Sequence, residues 1–233
     1  MCCVDDVLCV LFCIQYQIVA SPCQMYVFFY NLCMADPGNQ GNCERACRFA
    51  GFYLNEDPDI TNYDYEKKIL LSPHLGSMGP AYRNWEEGKR GYPYSFWKVY
   101  PLPFLDIDGI DTVEDLQKPG MEEKMAQAMA DRMARGDVAV NLASTSLVMN
   151  AYMFGGEAKQ KYKSWILEYV DAWIQRTQNN DGILPDNVGH SGKVGELMGG
   201  RWYGGNYGWT WPHGWGTLGD AVTCAAANAL ALT

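Results

Sequence analysis

The chain has 233 residues, of which 48% are apolar and 19% are charged, and its formal net charge is −9. This composition is typical of a folded globular protein and excludes an intrinsically disordered one. The negative charge, with Lys and Arg scattered along the chain, argues against a nucleic-acid partner, because phosphate binding requires clustered basic side chains.

The first 33 residues form an unusual segment. They include the apolar run "VLCVLFCI" and six of the nine cysteines, namely Cys2, Cys3, Cys9, Cys13, Cys23 and Cys33. A disulfide framework would spread its cysteines through the fold, and a signal peptide would be basic where this chain has Asp5 and Asp6. The run is also too short for a membrane span. We expect residues 1–33 to be a non-native or targeting segment with few contacts to the rest, and Met34 to be a plausible native start. Cytoplasmic and secreted locations both stay open.

Residues 34–120 read as an irregular region. One short helical face is predicted at Ala46, Phe49, Ala50 and Tyr53. Beyond it, Pro, Gly, Asp and Tyr are frequent, and turn signals such as Ser72-Pro73 interrupt the apolar runs. We expect an ordered but irregular segment that wraps over a larger helical part.

Helical periodicity begins near residue 121. "MEEKMAQAMADRMARG" places methionines four apart over residues 121–135, which is typical of a core face. Residues 138–154 predict a second helix that is apolar nearly all round, with Asn141, Ser144 and Asn150 among its polar positions. Such a helix is buried on more than one side.

The third predicted helix, residues 157–177, carries the clearest pattern. Trp165, Tyr169 and Trp173 recur every four residues along one face. Because only a short Gly turn separates this helix from the second, the two are expected to form an antiparallel hairpin. A last helix is predicted over residues 216–232, and the fold class is therefore mainly α.

The stretch "AYMFGGEAKQKYKSWILEYVDAWIQRTQNNDGILPDN" resembles one hairpin of the (α/α)6-toroid, or six-hairpin glycosidase-like, enzymes. In these enzymes an inner helix ends in a Gly turn, an outer helix follows with a "KY…W" pattern, and a loop of the type "N-x-D-G-x-x-P-D" comes next. The resemblance covers residues 121–233 and implies a partial toroid of antiparallel hairpins with long irregular loops. A complete toroid has more helices than the four or five predicted here, so we interpret the chain as a fragment.

The toroid family includes glycoside hydrolases, polysaccharide lyases and a few enzymes acting on terpenoid alcohols. In such folds, loops like the one at residues 178–215 line the mouth where substrate sits. This loop contains "MGGRWYGGNYGWTWPHGWG", which is rich in glycine and aromatic rings. Flat rings suit the apolar faces of sugars, and glycine lets the backbone approach a ligand closely. The alternative is that the rings are simply the packed interior of a long loop.

Several residues of this loop are candidates for chemistry. Asp186 and Glu196 are the candidate carboxyl pair of a glycosidase. The candidates for the base of a lyase are Tyr203, Tyr207, His190 and His213, of which Tyr207 and His213 are kept as candidate catalytic residues. The candidate substrate-binding residues are Trp202, Tyr203, Trp209, Trp211, Arg201 and His190. The spacing of His, Cys, Asp and Glu indicates no metal site, and no cofactor is expected.

We therefore expect a carbohydrate-active enzyme, a hydrolase or a lyase, with a carbohydrate or another small molecule as its partner. Two alternatives stay open: a toroid enzyme with a non-sugar substrate, and a truncated or non-catalytic relative that binds a glycan or a protein. Carboxylates buried in a shared cleft would favour catalysis, whereas rings on an open face would favour binding.

Overall fold

A computed structural model describes residues 22–57, 61–73, 75–76, 79–80, 94–133, 135–205, 208–209 and 214–233. Its helices are α1 (Pro22–Ala35), α2 (Gln40–Gly51), α3 (Tyr94–Trp97), α4 (Met121–Met133), α5 (Thr145–Phe154), α6 (Lys159–Gln178) and α7 (Gly214–Leu232). Short 3-10 segments cover Val113–Gln117, Ala139–Ser144 and Glu196–Met198. The fold is mainly α, as the apolar periodicity predicted.

The strands form three short antiparallel pairs in the described part of the chain. They are β1 (Tyr63–Asp64) with β2 (Ile69–Leu70), β3 (Leu75–Gly76) with β4 (Gly79–Pro80), and β5 (Asp137–Val138) with β6 (Asn187–Val188). In the last pair Asp137 lies opposite Val188, so the loop after α6 is tied to the segment before α5.

The main core lies between α1, α2, α5, α6 and α7. Trp165, Tyr169 and Trp173 are all buried on the inner face of α6, which confirms the prediction for that helix. The rings of Trp165 and Tyr169 stack with their centroids 4.9 Å apart. Because only residues 155–158 separate α5 from α6, the two packed helices form the expected hairpin. The predicted start of the second helix at residue 138 is wrong: α5 begins at Thr145, because Asp137–Val138 pair with β6 and Ala139–Ser144 form a 3-10 segment.

The expectation for residues 1–33 differs from the structure where that segment is described. A boundary at residue 33 would fall inside α1, whose Phe29 and Cys33 are buried in the main core. The rings of Phe29 and Phe49 pack edge to face, with their centroids 5.3 Å apart. The apolar pattern predicts no helix at Pro22, yet Pro is well suited to a first helical position, where its missing N–H would have no partner. Residues 1–21 lie outside the described residues.

A second, smaller core occupies part of the region expected to be irregular. Residues 94–116 have no helical period, but their apolar side chains pack against α4 in a separate cluster: Trp97, Leu102, Phe104, Ile107, Ile110 and Leu116. Met125 and Met129 of α4 are buried in it, which confirms that the methionine stripe is a core face. Met198 from the loop after α6 joins this second core.

Among the described cysteines, Cys33, Cys43 and Cys47 are free thiols. Among the helices of the described residues, none combines the length and the apolar character that crossing a bilayer requires.

Candidate functional site

The loop between α6 and α7 is folded back on itself by local backbone contacts. After β6, a bridge joins Val188 to Val194, and the chain then enters the 3-10 turn Glu196–Met198. Gly195 and Gly199 flank that turn with φ of 73° and 62°, a left-handed conformation that favours glycine. The loop is therefore ordered through this part and does not behave as an extended linker.

Asp186 is the centre of this loop. It is fully buried, and its carboxylate accepts three backbone N–H groups: Oδ2 from Gly204 at 2.9 Å and Gly205 at 3.2 Å, and Oδ1 from Trp209 at 2.8 Å. Its own backbone N–H donates to the carbonyl of Trp202 at 2.8 Å. One residue thus holds together chain segments that lie 16 to 23 positions away.

The glycines around Asp186 let the backbone pass this close. A Cβ atom on Gly208 would lie 1.9 Å from the carboxyl carbon of Asp186, and one on Gly205 would lie 3.3 Å from its Cβ. The 1.9 Å distance shows why position 208 requires glycine, whereas at 3.3 Å a Cβ atom at position 205 is only a tight fit. Gly208 thus lies against the buried carboxylate, while its neighbour Trp209 carries a ring.

Burial raises the pKa of the Asp186 carboxyl, and the three backbone N–H donors oppose that effect. A group of backbone amides around an anion is a common way to hold a carboxylate without a cationic partner. Among the described residues, no basic side chain contacts Asp186. The backbone N–H donors are what stabilise its buried carboxylate.

The rings of this loop form two pairs beside Asp186. Trp202 and Tyr203 meet edge to face with centroids 5.3 Å apart, and Trp209 lies 5.1 Å from Trp215, the second residue of α7. Trp215 is 75% exposed and Tyr203 is 40% exposed. Trp209 is partly buried against the main core and donates its indole N–H to the carbonyl of Leu184 at 2.7 Å. Each pair therefore has an inner ring and a more exposed outer ring.

Arg201 connects this loop to the second core. Its guanidinium forms an ion pair with Asp106, which also binds Arg132 of α4 at 2.5 Å. Partial burial raises the pKa of Asp106, but the two guanidinium groups outweigh burial and hold that pKa below its usual value. Arg201 also lies 5.7 Å from the ring centre of Tyr203, so its side chain supports the outer ring.

Glu196 stands on a separate turn. It is exposed and accepts hydrogen bonds from the hydroxyl and the backbone N–H of Ser191. The Ser191 hydroxyl is the main cause that lowers the pKa of Glu196, and the charges of His190 and Lys193 contribute. The ring Nε2 of His190 lies 2.7 Å from the carbonyl oxygen of Leu71.

The structure brings some of the predicted site residues together and separates others. Trp202 and Trp209 are joined through hydrogen bonds to Asp186, and Arg201 and Tyr203 adjoin them. Among the described residues, Asp186 and Glu196 share no hydrogen-bond partner, because the first is buried among backbone amides and the second faces solvent. Their role as a catalytic pair stays a prediction. Tyr207, Trp211 and His213 lie outside the described residues.

Sequence reasoning missed a second buried carboxylate, Asp137. It accepts hydrogen bonds from the Tyr169 hydroxyl and the backbone N–H of Leu70, both at 3.0 Å, and from the side chain of Asn141 at 2.9 Å. Burial raises its pKa to about 6, against the positive charge of Arg176. The only sequence signal was one charge beside the apolar run "VAVNLA", which does not reveal its partners. Asp137 joins β2, β5 and α6 and has no exposed surface from which to act on a substrate.

The described residues contain no group of three or more His, Cys, Asp or Glu side chains arranged to hold a metal ion. Comparison with known proteins adds one finding. A family model described as a domain of unknown function, DUF8034, matches residues 23–233. No curated protein and no solved structure matches the chain.

Proposed function

We propose that this chain, which belongs to the family DUF8034, binds carbohydrate through the two ring pairs of the loop at residues 178–215. The observation that carries the proposal is the exposure of Trp215 and Tyr203 on rings that are held from behind by Trp209 and Trp202. Large exposed aromatic side chains in close groups mark interaction surfaces, since leaving them in water without a function is unfavourable.

The frame behind these rings supports binding further. The backbone of Trp202 and of Trp209 is fixed on Asp186, and Arg201 is fixed on Asp106. A surface whose rings are already ordered loses little conformational entropy when a ligand binds. Asp106 carries one negative charge against the guanidinium groups of both Arg132 and Arg201, so this cluster keeps a net positive charge beside the rings, and acidic as well as neutral glycans belong in the test.

The resemblance to toroid enzymes supports carbohydrate as the class of ligand. The α5–α6 hairpin and the loop after it carry that likeness, and carbohydrate is the commonest ligand of the family it resembles. The placement of the carboxylates favours binding over turnover, because Asp186 is enclosed by backbone amides and Glu196 is bound to Ser191 on an exposed turn.

Hydrolysis or lyase chemistry is the second candidate, and one observation favours it. Burial raises the pKa of Asp186, and a raised pKa is the property that a general acid requires. This candidate further requires the loop to open, since Asp186 is fully buried as it stands.

A panel of neutral and acidic oligosaccharides, followed by calorimetric titration of the best binder, tests the proposal. We expect Trp215→Ala to weaken binding about tenfold, which corresponds to the loss of one stacked ring. Leu230→Ala is the matched control, because Leu230 lies on the same helix and is 78% exposed. It should bind like the unaltered protein.

Two results would contradict the proposal. One is the absence of binding across the whole panel, and the other is equal affinity of the Trp215→Ala and Leu230→Ala proteins. Mass spectrometry of the incubated glycans decides the second candidate: new reducing ends indicate hydrolysis, and unsaturated ends indicate elimination. Either product would replace simple binding with catalysis.

A further inference from the structure

A charged cluster lies at the surface where the aromatic loop contacts the second core. It consists of the Asp106 carboxylate and the guanidinium groups of Arg132 and Arg201, each of which forms an ion pair with that carboxylate. The exposed fractions of the side chains are 39% for Arg201, 34% for Asp106 and 21% for Arg132. The cluster is therefore open to a ligand on the protein surface.

This cluster has an excess positive charge, because one carboxylate faces two guanidinium groups. The hydrogen bond with Asp106 raises the pKa of Arg201, and no second carboxylate among the described residues contributes to that shift. The whole chain has a net charge of −9. In physiological salt, however, exposed charges more than about 8 Å apart are largely screened. An incoming group therefore meets a positive local charge.

Arg201 also has hydrogen-bond donors to spare. A guanidinium carries five N–H groups. The Nε group donates to the carbonyl of Met198 at 3.1 Å, and one group on Nη2 donates to Asp106. Both groups on Nη1 and the second group on Nη2 have no hydrogen-bond partner within the described ranges. Paired N–H groups of a guanidinium bind a carboxylate through two parallel hydrogen bonds, so a carboxylate is the anion that suits these donors.

The ring of Tyr203 lies beside these donors. The guanidinium carbon of Arg201 is 5.7 Å from the ring centre, and Tyr203 is 40% exposed. Trp202 supports the ring edge to face, with the centroids 5.3 Å apart. A uronic acid matches this arrangement, because its pyranose ring has an apolar C–H face and its carboxylate is attached at the edge of that ring. One sugar residue can therefore stack on Tyr203 and reach Arg201 with its carboxylate.

We infer that Trp202, Tyr203 and Arg201 form a subsite for a uronic acid residue of a glycan, with the sugar ring against Tyr203 and the carboxylate bound to Arg201. Arg132 acts without contacting the sugar, since its charge offsets that of Asp106. The inference rests on the proposed function, which by itself leaves neutral and acidic glycans open. A neutral sugar can stack on Tyr203 but leaves the spare N–H groups to water, and an amino sugar would bring a like charge, which is disfavoured.

Two pairs of trisaccharides that differ in charge provide the test. The first pair is trigalacturonate and its methyl ester, and the second is cellotriose and the glucuronate trimer that corresponds to it. Calorimetric titration at neutral pH and low salt measures each affinity. We expect the acid to bind about fivefold more tightly than its neutral partner, the scale of a partly exposed charge pair. This preference should shrink as the salt concentration rises, because the charges are exposed.

The ratio of the two affinities separates a direct contact from a structural role. Arg201→Gln should bring the acid and its neutral partner to equal affinity, whereas a displaced ring would weaken both alike. Arg132→Gln keeps the pair of Arg201 and Asp106 but removes the excess charge, so it should reduce the preference while the neutral sugar binds as before. Arg48→Gln is the matched control and should keep the full preference, because Arg48 is an exposed arginine of α2 whose guanidinium lies 5.9 Å from the ring centre of Phe52.

The inference is overturned if the acids bind no more tightly than their neutral partners, or if Arg201→Gln keeps the preference of Arg48→Gln. Should Arg201→Gln fail to fold, an undiminished preference in Arg132→Gln overturns the inference instead. In these cases neutral binding that Trp215→Ala weakens still supports the proposed function. If none of the four trisaccharides binds, the inference falls, and the wider panel decides the proposed function. The two failures are therefore distinguishable.

Discussion

At position 208 the chain has room for glycine alone. The carboxyl group of Asp186 occupies the space that any larger side chain would need, since a Cβ atom at this position would lie 1.9 Å from the carboxyl carbon. The same carboxyl group positions the backbone of Trp209. Asp186, a candidate catalytic residue from the sequence, therefore has a structural role: its carboxylate accepts the hydrogen bonds that hold the aromatic loop in place.

We expect Gly208→Ala to lower the free energy of unfolding by about 1–3 kcal/mol, because the new methyl group displaces the Asp186 carboxylate from its backbone donors. Urea unfolding measures this. Gly216→Ala is the control, since nothing lies within 4 Å of its Cβ position and Gly216 is in the first turn of α7. That variant should be neutral or slightly stabilising. Equal losses in both variants would contradict the close approach at Gly208.

Asp137 gives a pH-dependent prediction. Its folded-state pKa of about 6 lies above its ordinary value of 3.8, so the folded protein binds this proton more tightly than the unfolded chain does. Its contribution to stability is therefore complete below pH 4 and declines as the pH rises towards 6, by up to about 3 kcal/mol. Asp137→Asn lacks this titration.

Urea unfolding at pH 4 and at pH 7 checks this for Asp137. The destabilisation caused by Asp137→Asn should be smaller at pH 7 than at pH 4, although the variant is destabilised at both because an amide cannot accept from all the donors around it. A larger destabilisation at pH 7 would mean that Asp137 is held as a carboxylate with a lowered pKa.

At the scale of elements, helix α1 is part of the main core. Helix α1 is largely apolar and carries little periodicity, so its sequence does not identify an inner face. Its contacts do, because Phe29 packs on Phe49 of α2 and Tyr30 lies 6.3 Å from the ring of Phe154 of α5. The family match, which starts at residue 23, includes nearly all of this helix.

Phe29→Ala should lower the free energy of unfolding by about 3–5 kcal/mol, the usual loss for a buried phenylalanine. Met34→Ala, on the same helix but 48% exposed, should change it by less than about 1 kcal/mol. Thermal or urea unfolding distinguishes the two. If both substitutions had the same small effect, residues 22–33 would be dispensable for the core, as the sequence alone suggested.

At the scale of the whole molecule, the loop after α6 contributes side chains to both apolar cores. The second core, around Ile110 and Met129, takes Met198 from the loop. The carboxylate of Asp106 bridges Arg132 of α4 and Arg201 of the loop. Because Arg201 also lies against the ring of Tyr203, the ion pair with Asp106 couples the position of that ring to the packing of the second core.

Asp106→Asn should therefore lower the free energy of unfolding by about 1 kcal/mol near neutral pH, the scale of a partly exposed ion pair. The folded-state pKa of Asp106 is lowered, so this contribution to stability is complete at a pH above the pKa of Asp106 in the unfolded chain. It is lost as the pH falls through the folded-state pKa. Asp108→Asn is the control, since Asp108 is fully exposed and lies 4.0 Å from Lys124. Hydrogen exchange should also rise at residues 201–205 in Asp106→Asn alone, and unchanged exchange there would contradict the coupling.

The helices that the sequence predicted well are those whose signal is local. Trp165, Tyr169 and Trp173 fall on one face whatever surrounds them, so α6 could be bounded to within two residues at each end. In the same way, α4 follows from its methionine spacing, and α7 follows from its run of small and apolar residues. The candidate loop could be located too, because its glycine and aromatic content is a property of composition.

The sequence by itself determined a mainly α fold, the α5–α6 hairpin and the place of the aromatic loop, since each depends on residues a few positions apart. Only the tertiary structure decided that Asp186 is enclosed by Gly204, Gly205 and Trp209, and that residues 94–116 form a core of their own. Asp137 likewise meets Leu70 across 67 positions. The physical reason is that burial and hydrogen-bond pairing depend on where distant chain segments meet, and no local spacing of residues encodes that meeting.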